Sequence, residues 1–444
     1  MFRSFSPTAV SLALLMSVVP ASAQAPRPER PYRGLFGGGI GDTEQLLTAS
    51  ASLGGGYDDN LLADARGENS RPQPSDLNTT FRGSVGQFSG SLQYSLSRSR
   101  LDFGASGGTS ARYYPSLARD IVRRDHANLA TTVRLAAGLS ANASAAYSPY
   151  SLASLFAATS DAGLGDSAVF DEELASSNQH HLTYGGGLGF NRSLSSRTTL
   201  SADYGYRARN SSNLMGSFTR QTAGGRLSHS VGKGLALRAG YHYVKADYGE
   251  DERRLTNHLI DAGVDFNRSL SFSRRTTLSF GTGTTATARP GGTDTSTRFR
   301  LNANAALNHE MGRTWNAALV YSRGVHFIES WPEPVSSDSV TASLGGLLSR
   351  RLQFQSTAQT STGRAGFSRT SGGFSGYYGT ALLGFALSRH LSLQLKYGYY
   401  RHHFDDATLL VPGFANAVDR HSVRGYISLW APLFQRARRA DATR

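Results

Sequence analysis

The sequence predicts an all-β fold, a transmembrane antiparallel up-and-down β-barrel of about eighteen strands, with sixteen as the competing count. Three observations predict it. Apolar and small or polar residues alternate with period two over most of the chain. Short turns take turns with longer polar connections. The 444 residues include 49 Gly, 20 Tyr and 22 Phe but no Cys, the mixture expected of strands with one apolar and one wet face.

The N-terminus is expected to be a cleaved signal peptide over residues 1–25. Arg3 supplies a positive start, Ala9 to Val19 is an uncharged apolar run, and Ala21-Ser22-Ala23 is a small-residue cleavage site. Cleavage after Ala23 or Ala25 would leave a mature chain beginning at Gln24 or Pro26. A helical anchor would need roughly 17 to 25 apolar residues, and Pro20 ends this run before that. Residues 26–45, rich in Pro, Arg and Gly, are expected to form a periplasmic leader. The barrel is expected over residues 46–434, followed by a basic tail at 435–444.

Within the body, Leu235, Leu237, Ala239, Tyr241 and Tyr243 share one face of a strand, and Ala236, Arg238, Gly240 and His242 share the other. The same alternation recurs at Leu182 to Phe190, Leu200 to Tyr206, Ile260 to Phe266, Trp315 to Tyr321 and Leu391 to Tyr399. Many such runs exceed the length of a typical soluble strand and reach the roughly 9 to 11 residues that cross a bilayer at a tilt.

Short turns are expected at Ser97-Arg98-Ser99, Leu194-Ser195-Ser196, Val231 to Gly234, Phe272-Ser273-Arg274, Glu310-Met311-Gly312, Ser349-Arg350 and Ser388-Arg389-His390. Longer connections are expected at Asp58 to Asn78, Pro149 to Asn178, Tyr248 to Arg254, Arg289 to Thr295, Glu329 to Asp338 and Phe404 to Asp419. That asymmetry assigns short turns to the periplasm and long loops to the outside. One hairpin word repeats: Asn191-Arg192-Ser193-Leu194 and Asn267-Arg268-Ser269-Leu270. Closure follows from membrane physics, because in hydrocarbon an open sheet edge leaves a row of backbone groups unsatisfied.

Candidate functional residues come from strand phase. Arg134, Arg207, Arg226, Arg238, Arg298, Arg300, Lys396 and Arg424 alternate with apolar rows, which places them on the lumenal face. Such a wall would favour anions. The competing account is that these cations hold the wall together by pairing with lumenal Asp203, Asp261 and Asp265.

The formal charge of +14 is scattered along the chain, with no aromatic-basic module, so nucleic acid is not an expected partner. His180-His181 and His402-His403 are adjacent on strands and would point to opposite faces, which suits no metal site. Asp58-Asp59-Asn60, Glu250-Asp251-Glu252 and Asp405-Asp406 lack the spacing of a calcium loop. No H-E-x-x-H motif is present, nor a nucleophile elbow in a strand-turn-helix context, so no catalytic residue, metal or cofactor is expected.

Leu53-Gly54-Gly55-Gly56-Tyr57-Asp58-Asp59-Asn60 resembles the opening strand of an outer-membrane β-barrel porin family that includes proteins from exopolysaccharide gene clusters. The motif itself is Gly56, Tyr57, Asp58, Asp59 and Asn60. The resemblance implies a role in passage, secretion or surface retention of a polysaccharide, and it lends no catalytic residues.

Three function classes stay open: a porin-like or polysaccharide-associated channel, a non-conducting surface-binding or adhesion barrel, and a barrel hydrolase. The expected location is the cell outer membrane of a Gram-negative organism. The expected partners are outer-membrane lipid and lipopolysaccharide, the barrel-assembly machinery, and anionic polysaccharide or small anions.

Overall fold

The computed structural model describes residues 43–61, 82–116, 121–151, 176–211, 217–248, 253–270, 273–288, 298–326, 335–365, 372–405 and 416–437. The expected signal peptide, most of the leader, most of the basic tail and parts of several loops lie outside the described residues.

Eighteen strands account for nearly all of it: β1 (Thr43–Asp58), β2 (Gly83–Ser97), β3 (Leu101–Tyr113), β4 (Ile121–Ala136), β5 (Leu139–Ser151) and β6 (Ser176–Ser193); β7 (Thr198–Ser211), β8 (Phe218–Gly232), β9 (Leu235–Tyr248), β10 (Arg253–Leu270), β11 (Ser273–Ala288) and β12 (Arg298–Met311); β13 (Trp315–His326), β14 (Val335–Leu347), β15 (Leu352–Ala365), β16 (Gly373–Ala386), β17 (Leu391–Phe404) and β18 (Ala417–Ala437). Each pairs antiparallel with its sequence neighbours, and β1 also pairs with β18, so the sheet is closed. The eighteen-strand count holds over sixteen. β1 begins at Thr43 and β18 runs to Ala437, so the barrel extends three residues beyond the expected 46–434 at each end.

The two faces follow the period-two pattern through every ladder. Leu53 on β1 opposes Phe88 on β2 and Ile427 on β18, while Ser52 opposes Ser89 and Ser428. Large apolar side chains on the first kind of row stay exposed, among them Leu53, Leu129, Leu237, Ile260, Leu319 and Leu393. This exposed apolar row is the outer face; the polar row opposite it is the lumen.

Aromatic chemistry is sorted along the outer face. Toward the long loops it is mainly tyrosine, with Tyr57, Tyr113, Tyr147, Tyr206, Tyr321 and Tyr377 near those strand ends. Toward the short turns it is mainly Phe and Trp, with Phe103, Phe190, Phe266, Trp315, Phe354 and Phe385. Several pack in pairs: the Phe266 and Phe280 rings stack at 5.3 Å, and Trp315 lies 6.2 Å from Phe354. Two such girdles bound the apolar band that a bilayer requires.

The short turns use two local devices. Gly138, Gly234 and Gly312 adopt positive φ of 82°, 80° and 64°, a region closed to most side chains. In the turns at Leu194, Leu348 and Leu387, a serine hydroxyl accepts backbone N–H bonds from the residues two and three positions on. Ser195 accepts from Arg197 and Thr198, Ser349 from Arg351 and Leu352, and Ser388 from His390 and Leu391, all at 3.1–3.3 Å. Neighbouring hairpins also interlock. Asn191 N–H donates to the Gly138 carbonyl at 2.7 Å, and Asn267 N–H to the Gly234 carbonyl at 2.8 Å. These are the first residues of the repeated Asn-Arg-Ser-Leu word, which therefore marks where one hairpin leans on the turn before it.

Candidate functional site

Seven of the expected lumenal cations sit in the polar rows, and Arg298 shares the register phase of Arg300. Arg207 on β7 lies directly opposite Arg220 on β8, and Arg226 lies between Ser201 and Gly240. Arg298 and Arg300 oppose Thr287 and Thr285 across the β11–β12 ladder, and Lys396 opposes Arg424 across β17–β18. The eight do not converge on one point. They are spread over β4, β7, β8, β9, β12, β17 and β18.

Arg134, Arg238 and Arg424 bond carboxylates. Arg134 donates to Asp102 Oδ2 at 2.6 Å and to the Ser99 carbonyl at 2.9 Å, at the short-turn rim. Arg238 bonds Asp265, and its Nη2 donates to the Thr282 carbonyl at 2.6 Å. That carbonyl lies at the β10–β11 register shift between Ile260 and Asp265, where the ladder is interrupted. Arg238 thus serves as a side-chain patch over a gap in the backbone bonding, a role the alternation alone does not reveal. Arg424 donates to Asp58 Oδ2 at 3.1 Å.

Further cations share the lumenal row: Arg112, Arg124, Arg209, Arg220 and Arg420. They were within reach of the same phase rule, but each sits near a strand end where the alternation runs out into a loop. Around Arg207 and Arg220 the wall forms a recess of about 560 Å³, counting the open space at its mouth. Asn142, Asp203 and Thr222 line it with these two arginines, and Gly185, Gly187 and Gly205 leave its floor without side chains.

The glycine-rich motif has a definite structural job. Asp58 is fully buried, and the two arginines that reach it from β18 are 1% exposed. Arg420 donates to it at 2.5 to 3.1 Å and Arg424 at 3.1 Å. Asp59 accepts the His421 N–H at 2.6 Å, and Asn60 Nδ2 donates to the Asp419 carbonyl at 2.9 Å. A Cβ at Gly56 would come within 2.9 Å of Arg424 Cγ, and one at Gly54 within 2.6 Å of Tyr426 Cδ1. The two glycines therefore clear the path along which Arg424 and Tyr426 lie across β1. Tyr57 stands on the outer face. These residues clasp the first strand to the last.

The paired histidines separate by strand phase. His402 is buried in the lumen with Nδ1 2.5 Å from Tyr400 Oη, while His403 lies outside, 3.9 Å from Asp405. His181 approaches Ser148 at 3.4 Å, and His180 stacks on Tyr147 at 5.0 Å. Among the described residues no group of three or more His, Asp or Glu could hold a metal ion. Glu250-Asp251-Glu252 and Asp406 lie outside the described residues.

Fold and faces together define a closed antiparallel β-barrel with an apolar exterior and a polar, cation-bearing interior. No protein-family model matches the chain, and no curated protein matches it. Among solved structures, it is similar to OpdQ of Pseudomonas aeruginosa at 13% identity and a TM-score of 0.43, covering 88% of this chain and 98% of that one. It is similar to the FrpB iron transporter of Neisseria meningitidis (F3-3 variant) at 10% identity and a TM-score of 0.45, covering 89% and 83%. OccK2 (OpdF) of P. aeruginosa, solved in complex with glucuronate, matches at 11% identity and a TM-score of 0.42, covering 89% and 100%.

Proposed function

We propose that the chain is an outer-membrane channel whose lumen favours anions, with small anions and acidic sugars as its cargo. The observation that carries this reading is the pairing of an exposed apolar outer face with an arginine-bearing inner face in one closed sheet. Hydrocarbon around the outside satisfies the first, and guanidinium groups need the water of a lumen to satisfy the second.

We assign the field to the cation-bearing wall as a whole, Arg207, Arg226, Arg298, Arg300 and Lys396 with Arg209 and Arg220 included; Arg134, Arg238 and Arg424 also bond carboxylates. The exopolysaccharide association implied by Gly56 to Asn60 extends the cargo from acidic sugars to an acidic polymer. The second reading, a non-conducting surface barrel, has one observation in its favour. Beside the seam the interior toward the loops is filled by buried Arg112, Tyr378, Tyr400, His402 and Arg420.

The test is reconstitution of the refolded chain in planar bilayers under a salt gradient. The expected reversal potential has the sign of anion preference, and R207Q/R226Q/R300Q moves it toward zero. A parent that conducts without preference overturns the anion reading; a folded, inserted parent with no conductance favours the surface-binding one.

A further inference from the structure

The two rims of the barrel carry charge differently. Within the eight short turns and the three strand residues on either side of them, together with the first three residues of β1 and the last three of β18, there are fourteen Lys or Arg against three acids. Six of the eight turns hold a basic residue within the turn itself; the other two are flanked by Arg134 and by Arg268 and Arg275. Glu44 is already engaged by Arg98 at 2.8 Å and Arg436 at 3.7 Å, and Asp102 by Arg134 at 2.6 Å. Among the described residues no ion pair holds Arg100, Arg192, Arg197, Lys233, Arg350 or Arg389, and all six are exposed. On the loop side three outer-face cations have acids beside them: Arg123 with Asp125 at 3.0 Å, Lys245 with Asp247 at 3.6 Å and Arg323 with Asp338 at 3.8 Å.

Position identifies what this collar meets. Six turn-side aromatics lie two to four residues from one of its cations: Phe103 from Arg100, Phe190 from Arg192, Phe266 from Arg268, Trp315 from Arg313, Phe354 from Arg351 and Phe385 from Arg389. At about 3.3 Å per residue the charges stand roughly 7 to 13 Å beyond the aromatic girdle along the strand. Interface aromatics sit at the edge of the hydrocarbon, so the cations beyond them stand at the level of lipid phosphates. Turns two strands apart repeat about every 10 Å around the perimeter, a spacing that a lipid leaflet can meet on all sides at once.

We infer that the turn-side rim is a binding collar for the headgroups of acidic phospholipids. This rests on the proposed membrane-barrel reading. Each such contact is worth about 1 kcal/mol near an anionic surface, a factor of about five in relative association.

The full chain is refolded into phosphatidylcholine vesicles containing a trace of spin-labelled lipid, and the motionally restricted fraction is compared for phosphatidylglycerol and phosphatidylcholine labels. Phosphatidylglycerol is expected to be preferred about fivefold, less at high salt. R350Q/R351Q/R389Q should lower the preference clearly, whereas R207Q/R300Q/K396Q, which removes the same charge from the lumenal wall, should not. A chain that fails to insert at all counts against the membrane reading itself. An inserted barrel with no acidic-lipid preference, or one lowered equally by both variants, overturns the collar. So does an inserted R350Q/R351Q/R389Q barrel that keeps the parent's full acidic-lipid preference.

Discussion

Asp58 is the residue on which most of the seam depends, because a single buried carboxylate receives two buried guanidinium groups from β18. Removing one partner of a buried ion pair leaves uncompensated charge and typically costs about 3 to 5 kcal/mol. Asp58→Asn is therefore expected to lower the urea midpoint for loss of the compact form on unheated SDS gels; a midpoint equal to the parent's would show that the clasp contributes little. Arg238 gives the opposite kind of expectation. It joins Asp265 to a carbonyl at a break in the ladder, so Arg238→Gln should cost about 1 to 2 kcal/mol of stability. Its effect on the reversal potential should be small, and a large shift in selectivity would return Arg238 to the set that shapes the field. The sequence shows that Arg238 faces inward, since its phase is opposite to Leu237. It offers Asp265 among the lumenal acids but does not show the Thr282 carbonyl, because a register shift on another strand leaves no local trace.

At the level of strands and hairpins, period two was enough to read the faces. Leu237, Leu319 and Leu393 are exposed on the outer face, as their alternation with small and polar residues indicates. Arginine at any of these positions is expected to cost about 2 to 4 kcal/mol near the bilayer midplane. Refolding titrations in lipid should show the loss; a neutral result at all three would mean that this face does not meet hydrocarbon. The turns were less evenly legible. Ser195, Ser349 and Ser388 announce their turns by chemistry, but the turn at Ala137–Gly138 interrupts an apolar run with a single left-handed glycine and no polar cluster. Gly234→Ala tests that device, since its added Cβ would meet the Asn267 carbonyl and its backbone would be strained by about 1 to 2 kcal/mol. The same unheated-gel assay should register the loss, and an unchanged midpoint would mean that the turn relaxes.

For the whole barrel, the anion preference should be a property of the distributed wall. Raising ionic strength shortens the reach of each charge to about 8 Å near physiological salt and about 3 Å at 1 M. The measured preference is therefore expected to decline steadily with salt, and a preference unchanged from dilute to molar salt would indicate a tight local site instead. The closed architecture and the strand number were readable because every strand repeats the same two-sided pattern. The clasp was not, since Asp58 and Arg420 stand 362 positions apart and only the closed ladder brings them together.

Closing a loop of that length costs roughly 5 kcal/mol of chain entropy by the logarithmic estimate. Thr43 and Ala437 nevertheless end as ladder partners on the same rim. Topologically the chain is a ring with a single nick, and the nick lies between two strands that are paired as fully as any other two. A peptide linker joining the present ends, with new ends opened at Lys233–Gly234 or in the turn at Leu348 to Arg351, should give the same barrel. In such a circular permutant the Asp58–Arg420–Arg424 contact would become a link between neighbouring strands of one hairpin, and its substitution should then affect the speed of folding far less than in the natural order.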